Sequence, residues 1–180
     1  MSDYPGMGRI MPQLPGDGLT VLDGEGRIRD DVVTILDVCA DADVAVATGH
    51  LSLAEIRALQ DAAVSKGVRK FIVTHANWAL CKLDLDVQRE LISKGAYLEY
   101  VSVSVVSPIF HEQHPSELAR WIDDLSGDHL FFGSDLGQFA GPPQPEGLRM
   151  LFAALLGEGV PFDELEKMSK ANPAHLLGLS

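Results

Sequence analysis

The stretch DVAVATGHLSLAEIRALQDAAVSKGVRKFIVTH, residues 43–75, decides the fold. Its first run, 43–48, reads as a buried strand, because strands covered on both faces lose the polar alternation of a half-exposed one. Ser52 then stands as a helix N-cap with Glu55 three residues on, the spacing at which two side chains satisfy each other's backbone donors. A helix is expected over 53–66, closed by Gly67, and the β-branched, apolar run at 69–74 is a second strand. Strand, helix and strand in that order form a βα unit, and consecutive strands joined by such helices lie parallel.

The same alternation continues outward in both directions. LDLDVQRELISKG at 83–95 has apolar residues at helical spacing and ends on Gly95, a C′ candidate; a third strand is expected over 96–103. Pro115 and Ser116 open a helix that runs through Leu125, and HLFFGS at 129–134 is the fourth strand. Two or three terminal helices are expected, at about 146–157, 162–169 and 173–178. On the N-terminal side, Val32, Val33, Ile35, Leu36 and Val38 mark a helix at about 30–40, with Asp30 and Asp31 where its dipole favours carboxylates. Residues 1–29 are a Gly/Pro-rich arm with one hairpin candidate, TVLD-GEG-RI, and residues 30–180 form a single α/β domain.

Composition narrows the partners. The chain has 180 residues, 46% of them apolar and 22% charged, with a formal net charge of −12. That balance is globular, and the negative charge argues against nucleic acid or an anionic membrane, both of which call for clustered Lys and Arg. No apolar run reaches the roughly 18 residues that span a bilayer, and no signal-peptide core is present, so a cytoplasmic location is expected. Cys39 and Cys81 have no CxxC spacing and are expected as reduced, buried thiols.

Chemistry gathers at the strand ends. His50, His75, Glu99 and Asp135 each close, or lie near the end of, an apolar strand-like run, at intervals of 25, 24 and 36 residues. Parallel strands joined by helices bring their C-terminal ends to one rim, so the four side chains are expected to share a site. Taken singly each has a structural reading: a surface or capping role for His50, a buried hydrogen bond for His75, an ion pair for Glu99, a cap for Asp135. The last is weakened because Gly137 and Gly141-Pro142-Pro143 follow instead of a helix. Two imidazoles and two carboxylates suit a divalent ion, Zn first and Mn or Fe as alternatives, whose bound water becomes a nucleophile. Asp135 is the candidate base, and Glu99 would bind the metal or orient a ligand. His111, His114, Gln138 and Asn77 lie in the loops beyond the strands and are candidates for substrate contact, with Trp78, Phe110 and Phe139 nearby. His129 and His175 are expected to be structural. No G-x-S-x-G elbow surrounds Ser102, Ser104 or Ser107, and no Gly-rich phosphate loop follows a strand, which disfavours a serine hydrolase and a flavodoxin-like sheet.

ATGHLS at 47–52, VTHAN at 73–77, GAYLEY at 95–100, GSDLGQ at 133–138 and NPAHLLGL at 172–179 together resemble the C-terminal half of amidohydrolase-superfamily metal-dependent hydrolases. More narrowly they resemble an uncharacterised branch with TGH, TH and SDLGQ motifs. The resemblance implies half of a TIM-barrel-like (β/α)8 fold, with His50 and His75 as the strand-five and strand-six metal ligands. It also implies that Asp135 is the strand-eight aspartate, which binds metal and serves as base on a small polar substrate. The pattern departs from the superfamily at its start: residues 1–49 contain no histidine, so the strand-one His-x-His pair is missing. Two copies closing a pseudo-barrel, a partner chain supplying the first half, and a truncated frame with little metal affinity are all consistent with that. The non-catalytic alternative is a pseudoenzyme or heteromer subunit.

Overall fold

The computed structural model describes residues 18–78, 83–138 and 140–179. Helix α1 (Asp30–Asp41) leads into strand β1 (Val46–Ala47), then α2 (Leu53–Ser65), β2 (Phe71–Val73), α3 (Leu85–Ser93) and β3 (Ala96–Val101). A short helix α4 (Val103–Val106) and α5 (Pro115–Leu125) precede a 3-10 turn (Gly127–His129) and β4 (Leu130–Gly133). Helix α6 (Gln144–Gly157) follows, then α7 (Phe162–Glu166), a π-helical turn (Lys167–Ala171) and α8 (Asn172–Leu176). The four strands form one parallel sheet in the order β1-β2-β3-β4. The expected α/β architecture of successive βα units is therefore present.

Local chemistry accounts for the element boundaries. Ser52 accepts a hydrogen bond from the Glu55 backbone N–H while the Glu55 carboxylate accepts one from Ser52 N, so the capping box expected from the sequence starts α2. Asp84 caps α3 by accepting from Val87 N at 2.9 Å, and Gly95, at φ 88°, makes the left-handed turn that ends it. The hairpin candidate survives as a single antiparallel bridge, Leu22 to Ile28; the part of the arm before residue 18 lies outside the described residues.

The register separates two faces. Phe71 pairs with Ala96, and Val73 with Leu98, which pairs in turn with Leu130; these residues are buried and carry the core with Leu36, Ile56, Leu91, Leu118 and Leu151. On the other face Ala47 is matched with Ile72, Ile72 with Tyr97, and Glu99 with Phe131. None of these is fully buried, so the second face of the sheet is only partly covered.

Several expectations need correcting. The first strand has two ladder residues rather than six, because it pairs only with β2, itself three residues long, through Val46–Phe71 and Ala47–Ile72. The third strand ends at Val101: Ser102 adopts helical angles, and Val105 N and Val106 N both donate to its carbonyl, so the apolar run that reads as more strand folds into α4. The separate terminal helices at 162–169 and 173–178 are joined through the π-helical turn, with no non-helical residue between them. Cys39 is a free thiol and half-buried rather than buried, while Cys81 lies outside the described residues.

Candidate functional site

The strands end at different heights, and short ties bring their loops level. Thr74 N donates to Thr48 Oγ1 and Gly49 N donates to Thr74 Oγ1, each at 3.1 Å, locking the loop after β1 to the loop after β2. Ala76 N donates to the Glu99 carbonyl at 2.9 Å, which extends the β2–β3 contact past the last ladder pair. Ser102 N donates to the Gly133 carbonyl at 3.0 Å and Val103 N to that of Ser134 at 3.1 Å, fixing the chain just before Asp135.

The four predicted side chains meet there. The His50 and His75 rings have centroids 5.1 Å apart. His75 is the hub: Nδ1 lies 3.3 Å from Glu99 Oε2 and Nε2 lies 3.8 Å from Asp135 Oδ2. His75 is 8% exposed, whereas His50 is exposed and Glu99 and Asp135 are half-buried. Although His50 is exposed over much of its surface, partial desolvation lowers its pKa, helped by the neighbouring His75 and opposed by Asp135 and Glu99, so its neutral, ligand-competent form is favoured. Burial raises Asp135 above the ordinary aspartate range; Glu99 adds to this and the two imidazoles oppose it.

Two features single out this rim. His75 and Asp135 have positive φ, 55° and 46°, and are two of four such non-glycine residues described. A left-handed residue costs about 1–2 kcal/mol, and such strain gathers at functional sites. The second feature is unsatisfied polarity. Of four buried side-chain atoms without a hydrogen-bond partner among the described residues, three belong to this end of the sheet: His75 Nδ1, Trp78 Nε1 and Gln138 Oε1. The 3.3 Å approach of Glu99 to His75 Nδ1 falls short of an aligned hydrogen bond. Each such atom costs on the order of 1–3 kcal/mol unless a ligand or water meets it.

The donor chemistry suits a divalent ion in part. His75 Nε2 and Asp135 Oδ2 are too far apart to hydrogen-bond, yet 3.8 Å lets both reach one ion at the roughly 2.0–2.2 Å of zinc–nitrogen and zinc–oxygen bonds. Among the described residues no three His, Cys, Asp or Glu side chains are grouped to hold a metal by themselves. The rim thus offers two well-placed donors, with His50 next to them.

The loop candidates are placed differently. Asn77 is buried, and its amide is occupied by the scaffold: Nδ2 lies within hydrogen-bonding distance of the Val101 carbonyl, Ser104 Oγ and Gln113 Oε1, and Oδ1 accepts from Val101 N at 2.7 Å. Gln138 donates to the Asp135 carbonyl at 3.0 Å. His111 and His114 are exposed and engaged locally, His111 Nδ1 with the Val105 carbonyl at 2.6 Å and His114 as the N-cap of α5. Trp78 is the residue that residue-type reasoning underrates. Its ring stands edge-on to His75 and to Phe110, at 5.7 Å in each case, and only the fold places it beside a histidine. Phe139 lies outside the described residues. At the opposite end of the sheet, Tyr97 stacks with His129 and His175, at 4.8 and 5.8 Å, away from the rim. Two wide concavities, of about 820 Å³ beside the hairpin and about 730 Å³ beside α5, contain no histidine.

The profile of a family of unknown function, DUF6282, matches residues 4–99, a span that includes His50, His75 and Glu99 and ends before Asp135. No curated protein matches the chain, and no solved structure does.

Proposed function

The chain belongs to DUF6282, a family of unknown function, and from its rim we propose a metal-dependent hydrolase of the amidohydrolase type. In this reading its four strands form the C-terminal half of a (β/α)8 barrel completed by another copy or a partner chain. What carries it is the convergence on His75: left-handed backbone at His75 and Asp135, unsatisfied polar atoms around them, and His50 and Asp135 within reach of one ring. The order of the TGH, TH and SDLGQ motifs supports the same assignment.

His50, His75 and Asp135 would hold a divalent ion, most readily Zn, with the remaining ligands supplied by the completing half. An ion bound there supplies an activated water as nucleophile. Asp135 would take the proton of the attacking water and return it to the leaving group, a role its carboxylate can fill from its place just past the end of β4. Trp78 and Gln138, whose Nε1 and Oε1 have no partner among the described residues, would be the residues that hold a small polar substrate. A non-catalytic module is the second reading, favoured by the exposure of His50 and by the absence of a three-donor group among the described residues.

Metal analysis of protein purified without chelators tests the first reading. Bound Zn, Mn or Fe above background is expected in the wild type and is lost in His75→Ala. A metal-free wild type, indistinguishable from that variant, refutes it. Metal retained by Asp135→Asn without hydrolysis of any ester or amide panel member cleaved by the wild type assigns the base; unchanged hydrolysis removes Asp135 from that role.

A further inference from the structure

We propose that Glu99 is a positioning residue for His75, and that Gly133 is glycine in order to admit it. This deepens the reading of the rim as a metal site, while its deciding measurement, the His75 tautomer, is made on metal-free protein.

The register of β3 puts Glu99 on the partly covered face of the sheet, paired with Phe131. Its Oε2 stands 3.3 Å from two donor positions of one residue, the ring Nδ1 and the backbone N of His75. The backbone contact holds the peptide at the left-handed turn; the ring contact sets which nitrogen carries the proton. Both ring nitrogens face a carboxylate oxygen, but Glu99 is the nearer, 3.3 Å from Nδ1 against 3.8 Å from Nε2 to Asp135, so the proton belongs on Nδ1 and Nε2 is left as the nitrogen with a free lone pair on the Asp135 side.

Gly133 provides the independent support. A Cβ at this position would lie 2.4 Å from Glu99 Oε1, 3.1 Å from its Cδ and 3.3 Å from its Cγ. The Gly133 backbone is not in the left-handed region, so the chain's conformation does not call for glycine there. What calls for it is the glutamate side chain lying across the neighbouring strand. The absent side chain on β4 and the carboxylate on β3 are two halves of one device that orients a ring on β2.

Nitrogen-15 NMR of histidine-labelled, metal-free protein at about pH 8, above the ordinary imidazole value, reads the tautomer directly. The proton on Nδ1 of His75 is expected in the wild type and in Glu99→Gln, which keeps an acceptor oxygen. In Glu99→Leu and Gly133→Ala the major form should move to Nε2–H, and Glu99→Leu should also bind Zn about 10–100-fold more weakly. A wild type with the proton on Nε2 alone overturns the proposal, as does a folded Gly133→Ala with an unchanged tautomer. If either disruptive variant fails to fold, the wild type and Glu99→Gln still decide it. Absence of bound metal would remove the hydrolase reading and leave this one standing.

Discussion

Asp135 connects backbone strain, burial and proton affinity in one residue. Because its folded pKa is raised, the folded state binds the proton more tightly than the unfolded chain does. Its favourable contribution is therefore largest below the ordinary aspartate value and is lost as pH rises through the raised one. In metal-free protein, Asp135→Asn should melt higher than the wild type at neutral pH, since asparagine keeps the left-handed turn and carries no charge. The difference should shrink as pH falls below about 4. Thermal melts across that range check it, and a variant melting lower at neutral pH would show that the charge is compensated. Of the rim, His50, His75, Glu99 and Asp135 were legible as strand-end residues, because strand length and βα spacing follow from hydrophobic pattern. The dependence of Glu99 on Gly133 was not, since residues 34 positions apart meet only through the β3–β4 register.

Among the elements, α2 was the most readable, because a capping box is a contact between residues three apart. Removing the hydroxyl with Ser52→Ala should cost about 1 kcal/mol in urea unfolding. Glu55→Ala should cost at least as much, because the same carboxylate accepts from Thr20 Oγ1 at 2.7 Å and from Val21 N at 3.3 Å. Faster amide exchange at Val21 in Glu55→Ala than in Ser52→Ala would verify that this helix start anchors the N-terminal segment; equal rates would detach the two. Strand ends were less legible. The run after Val101 has strand composition, yet Ser102 Oγ donates to the Ser134 carbonyl at 3.0 Å and the chain turns helical. That preference comes from β4, which local propensity cannot register.

At the scale of the molecule the sheet is asymmetric. Its β4 side is covered where Asn172 Nδ2 donates to the Leu130 carbonyl, and α8 lies against that strand. Its β1 side is not: Ala47 is exposed, as is Val44 at 48%, and the preceding helix α1 exposes Ile35 at 58% and Val38 at 63%. An open parallel edge flanked by apolar side chains favours association. Sedimentation velocity should give a mass above that of one chain, falling toward one chain in Ile35→Lys combined with Val38→Lys at unchanged far-ultraviolet dichroism. A wild type that sediments as one chain at every concentration would leave the proposed half-barrel without a second copy and direct the search to a different partner chain. Among the described residues no helix is long and apolar enough to cross a membrane.

The sequence by itself determined the alternation of four strands with the helices between them, the cap of α2, the glycine stops and the four chemical residues at the strand ends, though not the short helix α4. These follow from periodicities and contacts that span a few residues of chain. Tertiary structure alone decided that His75 is the hub, that Asn77 is committed to the scaffold, that Trp78 stands beside the site, and that a glycine on one strand makes room for a glutamate on the next. The reason is physical: register and burial place atoms from distant segments within a few ångströms, and at that range packing and charge settle which polar groups are paired and which are left for a ligand.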